Sequence, residues 1–199
     1  MTRRRLSLGL ALLLMILLGS VQACSSLPRI VILHDPLTPQ EHVTLGEAYQ
    51  AQGDREMAAR EFEAALRQQR EYVPALLGLG NLSFAWNALD EAEGFYRRVW
   101  DAVPAHPGAS NNLAMVYLAR GEGLDEAERL ARLAAERGGP LRPYALDTLA
   151  RIYMRQGRYQ EAAIALDEAA AMVPAENAAF HEGLSRSRRE LAALYSSKE

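Results

Sequence analysis

What most limits the folds open to this chain is a set of small residues that return at a nearly constant interval. Gly46, Gly80, Ala114 and Ala150 are spaced 34, 34 and 36 residues apart. A second set, Ala58, Ala92, Ala127 and Ala162, is spaced 34, 35 and 35. Each member of the first set follows a leucine (Leu45, Leu79, Leu113, Leu149). A tyrosine stands three residues after it at Tyr49, Tyr117 and Tyr153, with Ser83 in the second copy. A fixed period of this length marks one supersecondary unit repeated along the chain, each copy burying its apolar face against the next.

The fourth copy, Leu146 to Pro174, shows what the unit is. Leu146, Leu149, Ala150 and Tyr153 fall at i, i+3, i+4 and i+7, one apolar stripe on a helix. Gly157 breaks the stripe as a left-handed helix end would. Tyr159, Ala162, Leu166 and Ala169 then restart it, and Pro174 stops it. Ala150 and Ala162 let two helix backbones approach, while Tyr153, Tyr159 and Leu166 fill the space around them. The pattern resembles the tetratricopeptide (TPR) repeat, a helical hairpin of about 34 residues.

That resemblance covers Pro39 to Pro174 and implies an all-α fold: a right-handed TPR superhelix, or α-solenoid, of four helical hairpins. Thr38-Pro39-Gln40-Glu41 supplies a capping box and a first-turn proline where the first hairpin begins. Beyond Pro174, Phe180, Leu184, Leu191 and Leu194 make one more amphipathic helix. With Glu182, Arg186, Arg188 and Arg189 outward, it reads as the C-terminal capping helix that a solenoid end needs. The third copy departs from the pattern. From its glycine to its repeat alanine the turn, GEGLDEA, is one residue longer than GRYQEA of the fourth copy, and Gly138-Gly139-Pro140 lengthens its exit. Ala131 stands where Phe62, Tyr96 and Leu166 stand elsewhere, which predicts the loosest packing of the solenoid there. Trp86 and Trp100 of the second copy read as packing residues.

The organisation is then residues 1–23 signal peptide, 24–37 lipidated tether, 38–174 four repeats and 175–195 capping helix. Arg3 to Arg5 precede the 13-residue apolar run Leu6 to Leu18 and the small residues that follow. A bilayer-spanning helix needs about 20 apolar residues, so the run suits a secretory signal. Cys24, the one cysteine of the chain, ends Val21-Gln22-Ala23-Cys24. This resembles the bacterial lipobox, although Gln22 is larger than the residue usual there. The resemblance implies a lipidated Cys24, cleavage before it and an acylated new amine. Ser25, in place of an aspartate, points to the periplasmic face of the outer membrane. A lone thiol in an oxidising compartment favours the same reading over an incidental cysteine behind an ordinary signal peptide. In the tether, Ile30 to Leu33 has strand-like composition without a visible partner strand.

Little here suggests chemistry. His34, His42, His106 and His181 are never four apart, and a single cysteine leaves no zinc site. Nucleophile elbow, HExxH and phosphate-loop motifs are absent. The reading is of no enzyme, no catalytic residue, no metal and no cofactor. Net charge is −3, and −6 once Arg3 to Arg5 are left out, so a nucleic-acid partner is not expected.

TPR proteins resemble one another in holding a peptide or partner helix on the concave surface lined by the first helix of each repeat. Carried over, those positions are Val43, Glu47 and Gln50; Leu77, Asn81 and Phe84; and Asn111, Asn112, Met115 and Leu118. The fourth copy adds Tyr144, Asp147, Thr148, Arg151 and Met154. Apolar side chains with a few amides suit a peptide groove. Asn81 and Asn112 match the two asparagines of the chaperone-binding TPR clamp. Its three basic positions read Leu77, Gly108 and Asn112, or Leu77, Tyr144 and Thr148, none of them basic. The resemblance therefore implies an internal segment as ligand, bound with little salt dependence. The function read from the sequence is a lipid-anchored periplasmic adaptor for envelope machinery. Its partner is a protein or peptide segment, with the membrane reached through Cys24 and no small-molecule substrate. The alternatives are a self-associating structural lipoprotein, helped by slack in the third copy, and an envelope hydrolase.

Overall fold

The computed structural model describes residues 35–196. The signal peptide, Cys24, the Ile30–Leu33 run and His34 lie outside the described residues, as do residues 197–199. Among those described there are nine α-helices and no strand. Four hairpins follow one another: α1 (Pro39–Gln52) with α2 (Arg55–Gln68), α3 (Val73–Ala85) with α4 (Leu89–Ala102), α5 (Pro107–Arg120) with α6 (Leu124–Arg137), and α7 (Arg142–Arg155) with α8 (Tyr159–Met172). A 3₁₀ turn, Gly139–Leu141, joins α6 to α7, and α9 (Ala178–Ser196) closes the series. Each helix packs on its hairpin partner, and each second helix on the first helix of the next hairpin, giving an all-α TPR superhelix.

Local chemistry sets the ends of the helices. At α1, the Glu41 amide donates to Thr38 Oγ1 (3.3 Å) while the Thr38 amide donates to Glu41 Oε2 (2.7 Å), a reciprocal cap with Pro39 just inside. Gly53 ends α1 at φ 82°, and Asp54 Oδ1 then accepts from the Met57 amide to start α2. Gly121 (φ 72°) and Gly157 (φ 75°) repeat that turn in the third and fourth hairpins. In the second hairpin Asn87 takes the left-handed place, at φ 60°, which asparagine tolerates better than most residues.

The core follows a rule of matched sizes. The Phe62 ring of α2 lies so close to α1 and α3 that a Cβ on Gly46 or on Gly78 would come within 2.7 Å of it. Tyr96 of α4 presses still closer on α3, where a Cβ on Gly80 would be 2.4 Å from Cε1. In the third and fourth copies the small first-helix residue is Ala114 or Ala150, and the matching second-helix residue shrinks to Ala131 or Leu166, all buried. Aromatic rings therefore occur where the opposing helix offers glycine.

This matching corrects the expectation of a slack third repeat. Ala127, Leu130, Ala131, Ala134 and Ala135 are all buried, and α6 packs on α7 more extensively than α2 does on α3 or α4 on α5. The small side chains of α6 let α7 seat closely, and the extra linker residues fold into the 3₁₀ turn, which touches both helices. Trp86 is a second correction: at the end of α3 it is 46% exposed, whereas Trp100 is half-buried against the core.

Helix α9 lies along α7 and α8, in the place that the first helix of a further repeat would take. The Phe180 ring meets Tyr144 edge-on at 4.9 Å, and Tyr195 meets Tyr159 at 5.2 Å. Between them, Ser187 Oγ donates to Asp147 Oδ1 (2.7 Å). Phe180, Leu184 and Leu191 are buried, while Glu182, Arg186, Arg188 and Arg189 face outward, Arg188 pairing with Asp167 at 2.6 Å.

Candidate functional site

Side chains one helical turn apart on α3 and α5 line one wall. Asn81 and Phe84 stand at i and i+3 on α3, and Asn112, Met115 and Leu118 repeat that spacing on α5, so each set shares a face. A cavity of about 300 Å³ lies among Gln50, Asn81, Phe84, Tyr96, Asn112 and Met115. A second, of about 140 Å³, is bounded by Phe84, Met115, Leu118, Arg151, Arg155 and Glu190. Phe84 and Met115 border both, so the two hollows adjoin along one groove face, with an amide end and an arginine end. Small-molecule pockets span roughly 300–1,000 Å³. These hollows are at or below that range, a size for single side chains of a partner segment.

The amide end is already partly engaged. Asn81 Oδ1 accepts from the Tyr96 hydroxyl (2.9 Å) and from Asn112 Nδ2 (3.0 Å). Burial pushes the Tyr96 phenol well above its ordinary range, so it stays a donor at any physiological pH. Asn81 therefore serves the fold first, and what it can offer a peptide is its Nδ2 group. Asn112 keeps its Oδ1 and one N–H. The two asparagines are coupled to each other and to the core of the second hairpin, not independent contacts.

The other residues expected in the groove divide three ways. Arg151 faces the arginine end, with Leu118 buried beneath it. Leu77 packs against the core, and Asn111 turns inward, its Nδ2 donating to Met115 Sδ at 3.6 Å. Val43 and Thr148 are core residues, 2% exposed each, and the Thr148 hydroxyl donates to the Tyr144 carbonyl. Asp147 is taken by Ser187 of α9, and Met154 is buried in the same core cluster as Leu184 and Leu191. The capping helix thus closes the fourth repeat's share of the concave wall beyond Arg151. Arg155 was absent from the sequence-derived set although it lies four residues, hence one turn, from Arg151. Glu190 could not be placed without knowing how α9 docks.

Behind the wall, two junctions carry a repeated charge network. Glu93 of α4 pairs with Arg97 (2.6 Å) and with Arg120, and accepts from the Tyr117 hydroxyl (3.1 Å). One repeat later, Glu128 pairs with Arg132 (2.6 Å) and Arg158 (2.8 Å) and accepts from Gln156 (3.0 Å), while the Arg158 guanidinium stacks over Tyr153. Burial alone would raise both carboxyls, but the hydrogen bonds from arginine, with tyrosine or glutamine, outweigh it and hold Glu93 and Glu128 below the usual carboxylate range. The first junction has Ala59, Glu63 and Ser83 at the matching places and lacks the network. Among the described residues no cluster of His, Cys, Asp and Glu could hold a metal ion.

One tetratricopeptide-repeat model matches residues 43–108 and another matches residues 143–176. Together with four stacked hairpins and a concave wall, these matches define the class: this is a TPR protein, with the interaction-scaffold fold of that class. Solved structures agree on the fold. The crystal structure of TTC0263, a thermophilic TPR protein of Thermus thermophilus, is 20% identical, covering 80% of this chain and 89% of that one, with a TM-score of 0.66. Two crystal structures of MamA are 17% and 15% identical, cover 79% and 77% of this chain and 88% and 96% of theirs, and give TM-scores of 0.57 and 0.56. The comparison with curated proteins gives no match.

Proposed function

We propose that this protein is a lipid-anchored adaptor that holds a segment of a partner protein in the groove between Gln50 and Arg155, without catalysis of its own. The observation that carries the reading is the convergence of Asn81, Phe84, Asn112, Met115, Leu118 and Arg151, from three successive first helices, on two adjoining hollows that share Phe84 and Met115. Main-chain groups of an extended segment fit the remaining amide donors and acceptors, and its apolar side chains fit Phe84 and Met115. The anchoring part rests on Val21-Gln22-Ala23-Cys24 and on Ser25, which together favour the periplasmic face of the outer membrane. Self-association loses its ground, because the slack third repeat it depended on is well packed.

Anchoring and groove are tested separately. Replacing Cys24→Ala removes the lipid-bearing thiol, and two or more acyl chains are what stable anchoring requires. The variant should move from the carbonate-washed membrane fraction to the soluble fraction. If it stays with the membranes, the lipoprotein reading fails, and the groove is left to be judged by crosslinking to a partner.

A further inference from the structure

We infer that the segment held in this groove carries an acidic side chain beside a bulky apolar one, its carboxylate received by Arg151 and Arg155. The inference rests on the groove reading and specifies its partner. Both arginines are exposed on α7, and neither forms an ion pair or hydrogen bond with another described residue. The arginines behind the wall differ: Arg97, Arg120, Arg132 and Arg158 are each tied to a glutamate. Arg151 and Arg155 instead border the cavity that Phe84, Met115 and Leu118 floor.

Two details make this more than a pair of surface cations. The Arg155 guanidinium lies across Gly121, close enough that a Cβ there would fall 2.8 Å from Nη2. The glycine that ends α5 at φ 72° thus leaves room for Arg155 to reach the cavity. Among the described residues only one carboxylate, Glu190, borders the same cavity, so their lining carries a net positive charge in a chain whose formal charge is −3. Composition does not supply that sign; placement does. The arginines stand about 6 Å apart along the helix axis, suited to one or two side-chain carboxylates. The amide end of the groove lies beyond Phe84 and Met115, so amides and arginines do not converge on a single terminal carboxylate. On this proposal binding weakens with salt, in contrast to the weak salt dependence that the clamp positions by themselves imply.

The test pans the immobilised full chain against a random peptide library, then titrates fluorescently labelled enriched peptides. Proteins compared are the unaltered chain, Arg151→Gln with Arg155→Gln, Met115→Ala, and Arg189→Gln as an exposed arginine outside the groove. Enriched peptides should place Asp or Glu next to Leu, Met or Phe. Their affinity should fall about tenfold in the double glutamine variant, stay unchanged in Arg189→Gln, and weaken with added salt. Because both arginines are exposed and unpaired among the described residues, the double variant should melt with the parent, which a circular dichroism scan checks. Neutral peptides that lose affinity in Met115→Ala but not in the arginine variant would overturn the acidic preference and keep the groove. Peptides indifferent to both changes, or no enrichment at all, would overturn the groove reading as well.

Discussion

Gly80→Ala puts two opposing effects in one residue, and the geometry decides between them. Within a helix, alanine for glycine ordinarily stabilises by about 0.5–1 kcal/mol, because less backbone entropy is lost on folding. Here the new Cβ would lie 2.4 Å from Tyr96 Cε1 and 2.8 and 2.9 Å from Cδ1 and Cζ. Carbon atoms rest at about 3.5–4.0 Å, so the ring would have to withdraw by about an ångström. Tyr96 is 2% exposed and its hydroxyl is fastened to Asn81, which leaves it little room to do so. Overpacking of this kind costs about 1–3 kcal/mol, which offsets the helix gain and leaves a net loss of up to about 2.5 kcal/mol. Urea unfolding followed by far-ultraviolet circular dichroism measures it. Tyr96→Leu recreates the Ala150 and Leu166 pairing of the fourth hairpin, and in that background Gly80→Ala should be neutral or stabilising. The double-mutant cycle should then show a coupling of at least about 1 kcal/mol. If Gly80→Ala alone raises stability by the ordinary helix increment, the matched-size rule for this core is wrong.

Asn81→Ala should cost about 1–3 kcal/mol, because it strands the buried Tyr96 hydroxyl without its acceptor, and adding Tyr96→Phe should recover part of that in a thermal melt. Affinity measured on Asn81→Ala alone would therefore mix lost stability with lost binding. Glu93 and Glu128, with carboxyls held below the usual range in the folded protein, add stability that is full above the unfolded glutamate pKa and is lost as pH falls through the lower folded value. The melting temperature should drop between about pH 5 and pH 3, and Glu93→Gln should lower it less steeply over the same interval. An identical acid profile for parent and variant would mean the Glu93 network adds nothing.

The repeat register was legible because small residues at a 34-residue period leave few other architectures, and because Gly53, Asp54, Gly121 and Gly157 carry their turns in their own chemistry. The groove was legible only as positions. That Asn81 would spend its oxygen on Tyr96 and Asn112 depends on the packing of α4 against α3 and of α5 beside it, which periodicity does not encode. Asp147 and Met154 were misassigned because the docking of α9 on α7 is a tertiary choice, resolved by Phe180, Leu184 and Leu191. The third repeat misled because Ala131 reads as a missing side chain, whereas it is matched by a closer helix. Arg155 could have been found by extending the Arg151 face one turn.

The measurement closest to the central claim is site-specific photocrosslinking in living cells, with a photoreactive benzoylphenylalanine at position 115 in the groove or at position 164, where Ile164 is 66% exposed on α8. Position 115 should yield discrete adducts with a partner that weaken in the Arg151→Gln, Arg155→Gln background, and position 164 should yield none. Adducts from position 164 without any from position 115 would place the partner on the outer helices and contradict the account.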